Sequence, residues 1–89
     1  MNKTELVAFI SENAGLTKAD ATRALEATID GIMEGTKNGK VTLVGFGTFE
    51  MKRREARIGR NPRTGEEVTI AARNAVNFKA GNKFKEELN

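Results

Sequence analysis

Basic side chains are concentrated in one short stretch of the sequence, residues 52–65. That stretch holds six cations and one acid, Glu55, so its local charge is plus five. Because the whole chain carries +3, the remaining residues sum to minus two. Five of the six cations are arginine, and one guanidinium group can donate hydrogen bonds to two phosphate oxygens at once. This spacing predicts contact with a polyanion, and double-stranded nucleic acid is the first candidate. The six cations are Lys52, Arg53, Arg54, Arg57, Arg60 and Arg63.

Two of the residue types that often carry catalysis or bind metal are missing from the sequence. It contains no Cys and no His, which excludes disulfides, thiolate chemistry and the usual zinc ligands. A catalyst would depend on carboxylates or lysines, and no paired acids form a recognisable site. The glycines of Gly45–Gly47 lack the further residues of a dinucleotide or P-loop motif. We therefore expect no enzyme activity, no catalytic residue, no metal and no cofactor.

The first 38 residues have the pattern of two helices joined by a short linker. Asn2 and Glu5 have the spacing of a capping box, and Gly15 is expected to end the first helix. Thr17 is expected to be the N-cap of the second helix. The apolar positions between 21 and 33 recur at helical spacing, and Gly35 with the 37–40 cluster is expected to end that helix. The sequence predicts an N-terminal helical hairpin.

From Val41 the apolar period changes to two, which is typical of strands. A tight reversal is expected at Gly45–Gly47, after which Phe49 and Met51 return to the inner face. The strand pattern then continues into the basic stretch, turns at residues 61–65 and returns through alternating apolar positions to Val76 and Phe78. A short C-terminal helix after Gly81 is expected to bury Phe84 and Leu88, four residues apart.

The basic stretch and its return strand, about 52–73, are predicted to leave the body as an extended two-stranded arm. At about 3.3 Å per residue, nine residues per side would project roughly 30 Å. Charged residues also keep an exposed ribbon soluble, but a mixture of signs would do that equally well. Pro62 fits ordinary turn chemistry, and an apolar ring at a basic tip could also wedge between base pairs. The Ile58 side chain could pack against the opposite strand of the ribbon or press against sugar surface in a groove of the nucleic acid.

A chain of 89 residues with five Phe and neither Trp nor Tyr can build only a small core. Without disulfides or metal, association with another subunit is the remaining source of buried area. We therefore assign an aromatic cluster to a subunit interface. The expected dimer-core residues are Leu43, Phe46, Phe49 and Phe78. No stretch is apolar enough for a membrane span or a signal peptide, so a cytoplasmic protein is expected.

The run GFGTFEMKRREARIGRNPRTG resembles the signature of the bacterial HU/IHF family of histone-like DNA-binding proteins. The similarity extends from the MNKTEL start to FKAGNKFK near the end. It implies one α+β domain over residues 1–89, with a helical hairpin, an antiparallel sheet with an extended basic β-ribbon arm, and a short C-terminal helix. It also implies an intertwined dimer whose arms hold DNA through the minor groove, with Pro62 intercalating. Asn82 and Val76 differ from residues that many HU members carry.

The resulting hypothesis is an architectural protein that binds double-stranded DNA with little sequence preference, then bends and compacts it in the nucleoid. A homodimer is expected, and a heterodimer stays open. An IHF-like sequence-selective bender, an RNA-binding protein and an interaction module for an acidic protein are the alternatives. The expected DNA-binding residues are Lys3, Lys52, Arg53, Arg54, Arg57, Arg60, Asn61, Pro62, Arg63, Arg73, Lys79 and Lys83.

Overall fold

The computed structural model describes all residues from 1 to 89 and contains three helices and five strands. The predicted α+β class is confirmed: a helical pair comes first, then antiparallel strands, then a short helix. The elements are α1 Lys3–Ala14, α2 Lys18–Lys37, β1 Lys40–Leu43, β2 Gly47–Arg54, β3 Arg57–Arg60, β4 Glu67–Ile70, β5 Arg73–Ala80 and α3 Asn82–Leu88. The chain divides into two compact units, Met1–Glu34 and Gly35–Asn89.

The helix ends of the first unit follow the sequence signals closely. The Asn2 side chain accepts a hydrogen bond from the Glu5 backbone N–H at 2.9 Å, and the Glu5 carboxylate accepts one from the Asn2 N–H at 3.4 Å. Gly15 ends α1 in the left-handed conformation, with φ of 67°, which costs glycine little. Thr17 Oγ1 accepts from the Asp20 N–H at 3.1 Å, as an N-cap does. These three predictions are confirmed.

The predicted end of α2 is confirmed at the 37–40 cluster, since α2 ends at Lys37, but the role predicted for Gly35 is wrong because Gly35 lies inside the helix. A Cβ atom at Gly35 would collide with Val41 Cγ2. The glycine therefore allows β1 to approach the last turn of α2 and does not stop the helix. Gly39, with φ of 139°, is the residue that redirects the chain into β1.

Strands β1, β2 and β5 form one antiparallel sheet with β2 in the centre, and β3 and β4 form a separate two-stranded ribbon. The expected reversal between β1 and β2 is present: the Phe46 N–H donates to the Leu43 carbonyl at 2.9 Å, and Gly45 has φ of 85°. Pairing between β1 and β2 ends at Lys40 opposite Glu50. Beyond that point only β2 and β5 continue, as a ribbon.

Very few apolar side chains are buried in this single chain. Val7 and Ala21 are the buried hydrophobic residues, and no large side chain is fully buried. Val76 was expected to return the chain to the core but is 65% exposed; it lies opposite Met51, beyond the last β1–β2 pair. Leu88 was expected to be buried with Phe84 and is 72% exposed, since it is the last residue of α3. None of the helices has the length and apolar character needed to cross a membrane.

Candidate nucleic-acid interface

The basic stretch forms a long two-stranded arm, as its alternating pattern predicts. β2 pairs with β5 from Gly47 opposite Ala80 out to Arg54 opposite Arg73. After an interruption, β3 pairs with β4 from Arg57 opposite Ile70 to Arg60 opposite Glu67. All the cations of residues 52–63 therefore lie on one projecting ribbon, and their side chains are exposed. Arg73 joins this group from the return strand.

The tip of the arm is a hydrogen-bonded loop with Pro62 exposed near its apex. The Asn61 side chain accepts from the Arg63 backbone N–H at 2.9 Å. The Asn61 carbonyl accepts from the Gly65 N–H at 2.8 Å, and Gly65 has φ of 73°. Asn61 and Gly65 thus have structural roles that hold Pro62 outward. The tip loop is built by local hydrogen bonds, as the Asn-Pro-x-x-Gly pattern indicates.

Arg60 has a second role at the tip that the sequence did not indicate. Its Nη1 donates to the Gly65 carbonyl oxygen at 3.2 Å, so the side chain bridges the end of β3 and the end of the loop.

Ile58 is 70% exposed and lies opposite Thr69 in the β3–β4 ladder. Its side chain is therefore open to a partner even though its backbone is paired across the ribbon.

Most arm cations have no carboxylate partner. Arg53 Nε lies 3.1 Å from a Glu55 carboxylate oxygen, and Lys52 Nζ lies 3.4 Å from Glu50. These pairs are largely exposed and contribute little stability. No acidic group lies within ion-pair distance of the remaining arm arginines, which are Arg54, Arg57, Arg60, Arg63 and Arg73. The arm therefore presents five uncompensated guanidinium groups.

The predicted contacts outside the arm are distributed over other elements. Lys3 lies at the start of α1 and pairs with Glu26 at 3.1 Å. Lys79 lies on β5 opposite Thr48, in the three-stranded sheet. Lys83 lies in the first turn of α3, beside Gly45 of the β1–β2 turn. The structure thus brings Lys79 and Lys83 into the unit that carries the arm, while Lys3 belongs to the helical unit.

Four phenylalanines form a contiguous cluster at the base of the arm. The ring centroids of Phe49 and Phe78 are 4.7 Å apart, and those of Phe46 and Phe78 are 5.4 Å apart. Phe84 stacks on Phe46 at 5.3 Å and extends the cluster from α3. The sequence placed Phe84 on a buried helical face but did not assign it to this cluster. Three of the predicted dimer-core residues are about two-fifths exposed in the single chain: Phe46 at 44%, Phe78 at 43% and Leu43 at 40%.

The chemistry available to this surface is electrostatic and apolar contact. No group of three or more acidic, His or Cys side chains is arranged to hold a metal ion. Guanidinium groups on a projecting ribbon can donate to phosphate oxygens, and an exposed proline ring can press against bases or sugars.

Comparison with known proteins gives full-length matches. The family model described as bacterial DNA-binding protein matches residues 1–89. HU-alpha from Vibrio proteolyticus is 54% identical over 89 residues, covering 99% of each chain. HU from Geobacillus stearothermophilus is 51% identical with the same coverage. Among solved structures, an Anabaena HU–DNA cocrystal structure has a TM-score of 0.89 and 47% identity, covering 99% of this chain and 97% of that one. A Thermotoga maritima HU mutant has a TM-score of 0.73 and 29% identity, with complete coverage of both chains.

Proposed function

This chain belongs to the bacterial DNA-binding protein family, and we propose that it is an architectural protein that binds and bends double-stranded DNA with little sequence preference. The observation that carries this proposal is the projecting ribbon with five arginines that have no carboxylate partner. DNA is the partner in the cocrystal structure of the similar Anabaena HU. The protein is a DNA-binding family member rather than an enzyme.

The proposed contacts divide into anchoring and bending. Arginines and lysines of the arm and body would neutralise phosphates, a contribution that does not depend on base sequence. The tip would lie in the minor groove, where A·T and T·A pairs look alike, so weak sequence preference is expected. Pro62 would insert between base pairs and favour a kink. Sites that are nicked or flexible would bind more tightly because bending them costs less energy.

The active form would be a dimer, most simply of two identical chains. In the single chain only Val7 and Ala21 are buried hydrophobic residues, whereas Phe46, Phe78 and Leu43 stay about two-fifths exposed. So small a core would not stabilise a chain of this length by itself. A second copy that covers the aromatic cluster would supply the missing buried area. Residues 1–89 would then form one DNA-binding domain, with its arm at about 52–73, acting in the nucleoid.

Sequence-selective bending of the IHF kind is the alternative within the family. RNA binding is an alternative of another class, but none of the five Phe residues lies in the arm, where a stacking platform for splayed bases would be needed. Competition between duplex DNA and RNA of the same length separates these two partners.

The experiment that tests the proposed function is a gel-shift series with an intact duplex, a nicked duplex and a random-sequence competitor, at two salt concentrations. If roughly 6 to 10 phosphates are neutralised, affinity should fall by about three to five decades between 50 and 200 mM salt. The nicked duplex should bind more tightly than the intact one. A response that does not change with salt, or a strong preference for one sequence over random competitor, would contradict the proposal.

A further inference from the structure

The two ladders of the arm share one register across the interruption. Arg54 lies opposite Arg73 at the end of the β2–β5 ladder, and Arg57 lies opposite Ile70 at the start of the β3–β4 ladder. Two residues are skipped on each strand, at positions 55–56 and 71–72. Because the numbers match, the interruption is not a single β-bulge, in which one strand carries an unmatched residue. No proline or glycine occupies the four skipped positions.

What changes across the interruption is the direction of the backbone hydrogen bonds. Successive residues of an antiparallel strand point their N–H and C=O groups alternately to the two sides. The Phe46 carbonyl accepts from the Gly81 N–H at 2.7 Å, and the Met51 N–H donates to the Gly39 carbonyl on the other side at 3.0 Å. Even-numbered residues of β2 therefore point to β5. At the tip, the Asn61 N–H donates to the Glu66 carbonyl at 2.8 Å, so odd-numbered residues of β3 point to β4.

This switch changes which side chains share a face of the ribbon. In an uninterrupted strand, residues three apart lie on opposite faces. With the switch between them, Arg54 and Arg57 lie on the same face. Arg73 shares that face because it lies directly opposite Arg54. The three arginines accordingly line one cavity of about 350 Å³, together with Glu55, Ile70 and Ala71.

The charge of this cavity is uncompensated. No carboxylate lies within ion-pair distance of Arg54, Arg57 or Arg73, and the one acid present, Glu55, accepts from Arg53 at 3.1 Å. Like charges directly opposite each other on a ladder destabilise it. An anion held among the three guanidinium groups would remove that repulsion and accept several charge-assisted hydrogen bonds.

We propose that the interruption is a phosphate-binding site in which Arg54, Arg57 and Arg73 act together on one phosphate group. The claim that this phosphate is a phosphodiester of duplex DNA rests on the proposed function. The site itself does not, since a free phosphate anion presents the same oxygens. Arg53 points to the other face and is engaged by Glu55, so it contributes to the arm's charge without belonging to the site.

The first test uses the full chain without DNA and inorganic phosphate as the probe. Backbone amide NMR signals are followed during a phosphate titration against chloride at equal ionic strength. Signals of residues 54–57 and 70–73 should shift together, and Arg73→Gln or Arg57→Gln should weaken that response by about tenfold. Arg23→Gln removes the same charge from the helical unit, where Arg23 pairs with Asp20 at 3.5 Å, and should keep the response within about twofold. Circular dichroism verifies that each variant is folded.

The second test uses a short duplex and the salt dependence of binding. Each neutralised phosphate contributes about 0.9 to the slope of log affinity against log salt. Because the proposed dimer has two arms, a shared phosphate on each arm predicts that the triple variant Arg54→Gln, Arg57→Gln, Arg73→Gln lowers the slope by about 1.8. Three separate contacts on each arm would lower it by about 5.4.

These outcomes separate the two proposals. A phosphate response that is spread over all the basic residues, or that survives Arg73→Gln and Arg57→Gln, overturns the site. A slope change near 5.4 overturns the sharing of one phosphate on each arm. Failure of the unaltered protein to bind duplex, with the phosphate response intact at the interruption, would instead overturn the proposed function and leave the anion site standing.

Discussion

Replacing Gly47 by alanine should destabilise the protein strongly, and the structure sets the size of the effect. A Cβ at Gly47 would lie 2.6 Å from two ring atoms of Phe78 and 2.7 Å from the Lys79 carbonyl oxygen. The ring could move only against the aromatic cluster, and the carbonyl belongs to the β5 backbone, so neither contact is easily relieved. Overpacking of this kind costs about 1–3 kcal/mol, and we expect about 3 kcal/mol because a backbone atom is involved.

For a domain of this size, each kcal/mol corresponds to about 4–8 °C in Tm, which predicts a loss of about 12–24 °C. Thermal and urea denaturation followed by circular dichroism measure it, at one fixed protein concentration because association contributes to stability. Gly31→Ala is the matched control: Gly31 lies in α2 with nothing within 4 Å of its Cβ position. It should gain about 0.5–1 kcal/mol. A loss below about 1 kcal/mol for Gly47→Ala would refute the reasoning from close approach.

Three further changes test the arm and the first helix. Pro62→Ala should reduce DNA bending more than DNA affinity, because it removes the proposed wedge but no charge. End-to-end fluorescence transfer on a short duplex measures the bending, with Thr64→Ala as the control. Equal bending by Pro62→Ala and the unaltered protein would reject the wedge. Gly65→Ala should reduce the local stability of the tip loop by about 1–3 kcal/mol, because Gly65 has a φ of 73° that alanine adopts with strain. Backbone amides at the tip should then exchange faster with solvent, and unchanged exchange would contradict this prediction. Asn2→Ala should lower the free energy of unfolding by about 1 kcal/mol by removing the α1 cap, and an unchanged urea midpoint would show that the cap contributes nothing.

Features that depend on neighbouring residues were predictable from the sequence. The capping box at Asn2 and Glu5, the left-handed Gly15 and the tip loop all follow from short-range hydrogen bonds and backbone preferences. The extended arm was also predictable, since its strand pattern continues after apolar residues stop. These signals lie within a few positions of each other, so no tertiary information is needed to interpret them.

Features that depend on how elements pack and on where the backbone groups point were not predictable. Gly35 has the sequence character of a helix end, but its role is set by Val41, which packs against it. Leu88 has the right spacing from Phe84 to be buried, yet α3 ends there. The interruption of the arm cannot be recognised in the sequence, because the alternation of side chains does not reveal which way the backbone N–H groups point. Only the three-dimensional structure shows that Arg54 and Arg57 lie on the same face.

The change in hydrogen-bond direction at the interruption of the arm also limits how such a ribbon can change during evolution or in protein engineering. Removing one residue from a single strand would shift every later pair and send the tip side chains to the wrong surface. Removing one residue from each strand within the interruption would keep the pairing and both bonding directions, leaving an unbroken hairpin shorter by about 3.3 Å. Arm length should therefore vary between homologous chains in matched steps, with unpaired insertions confined to the loop at the end.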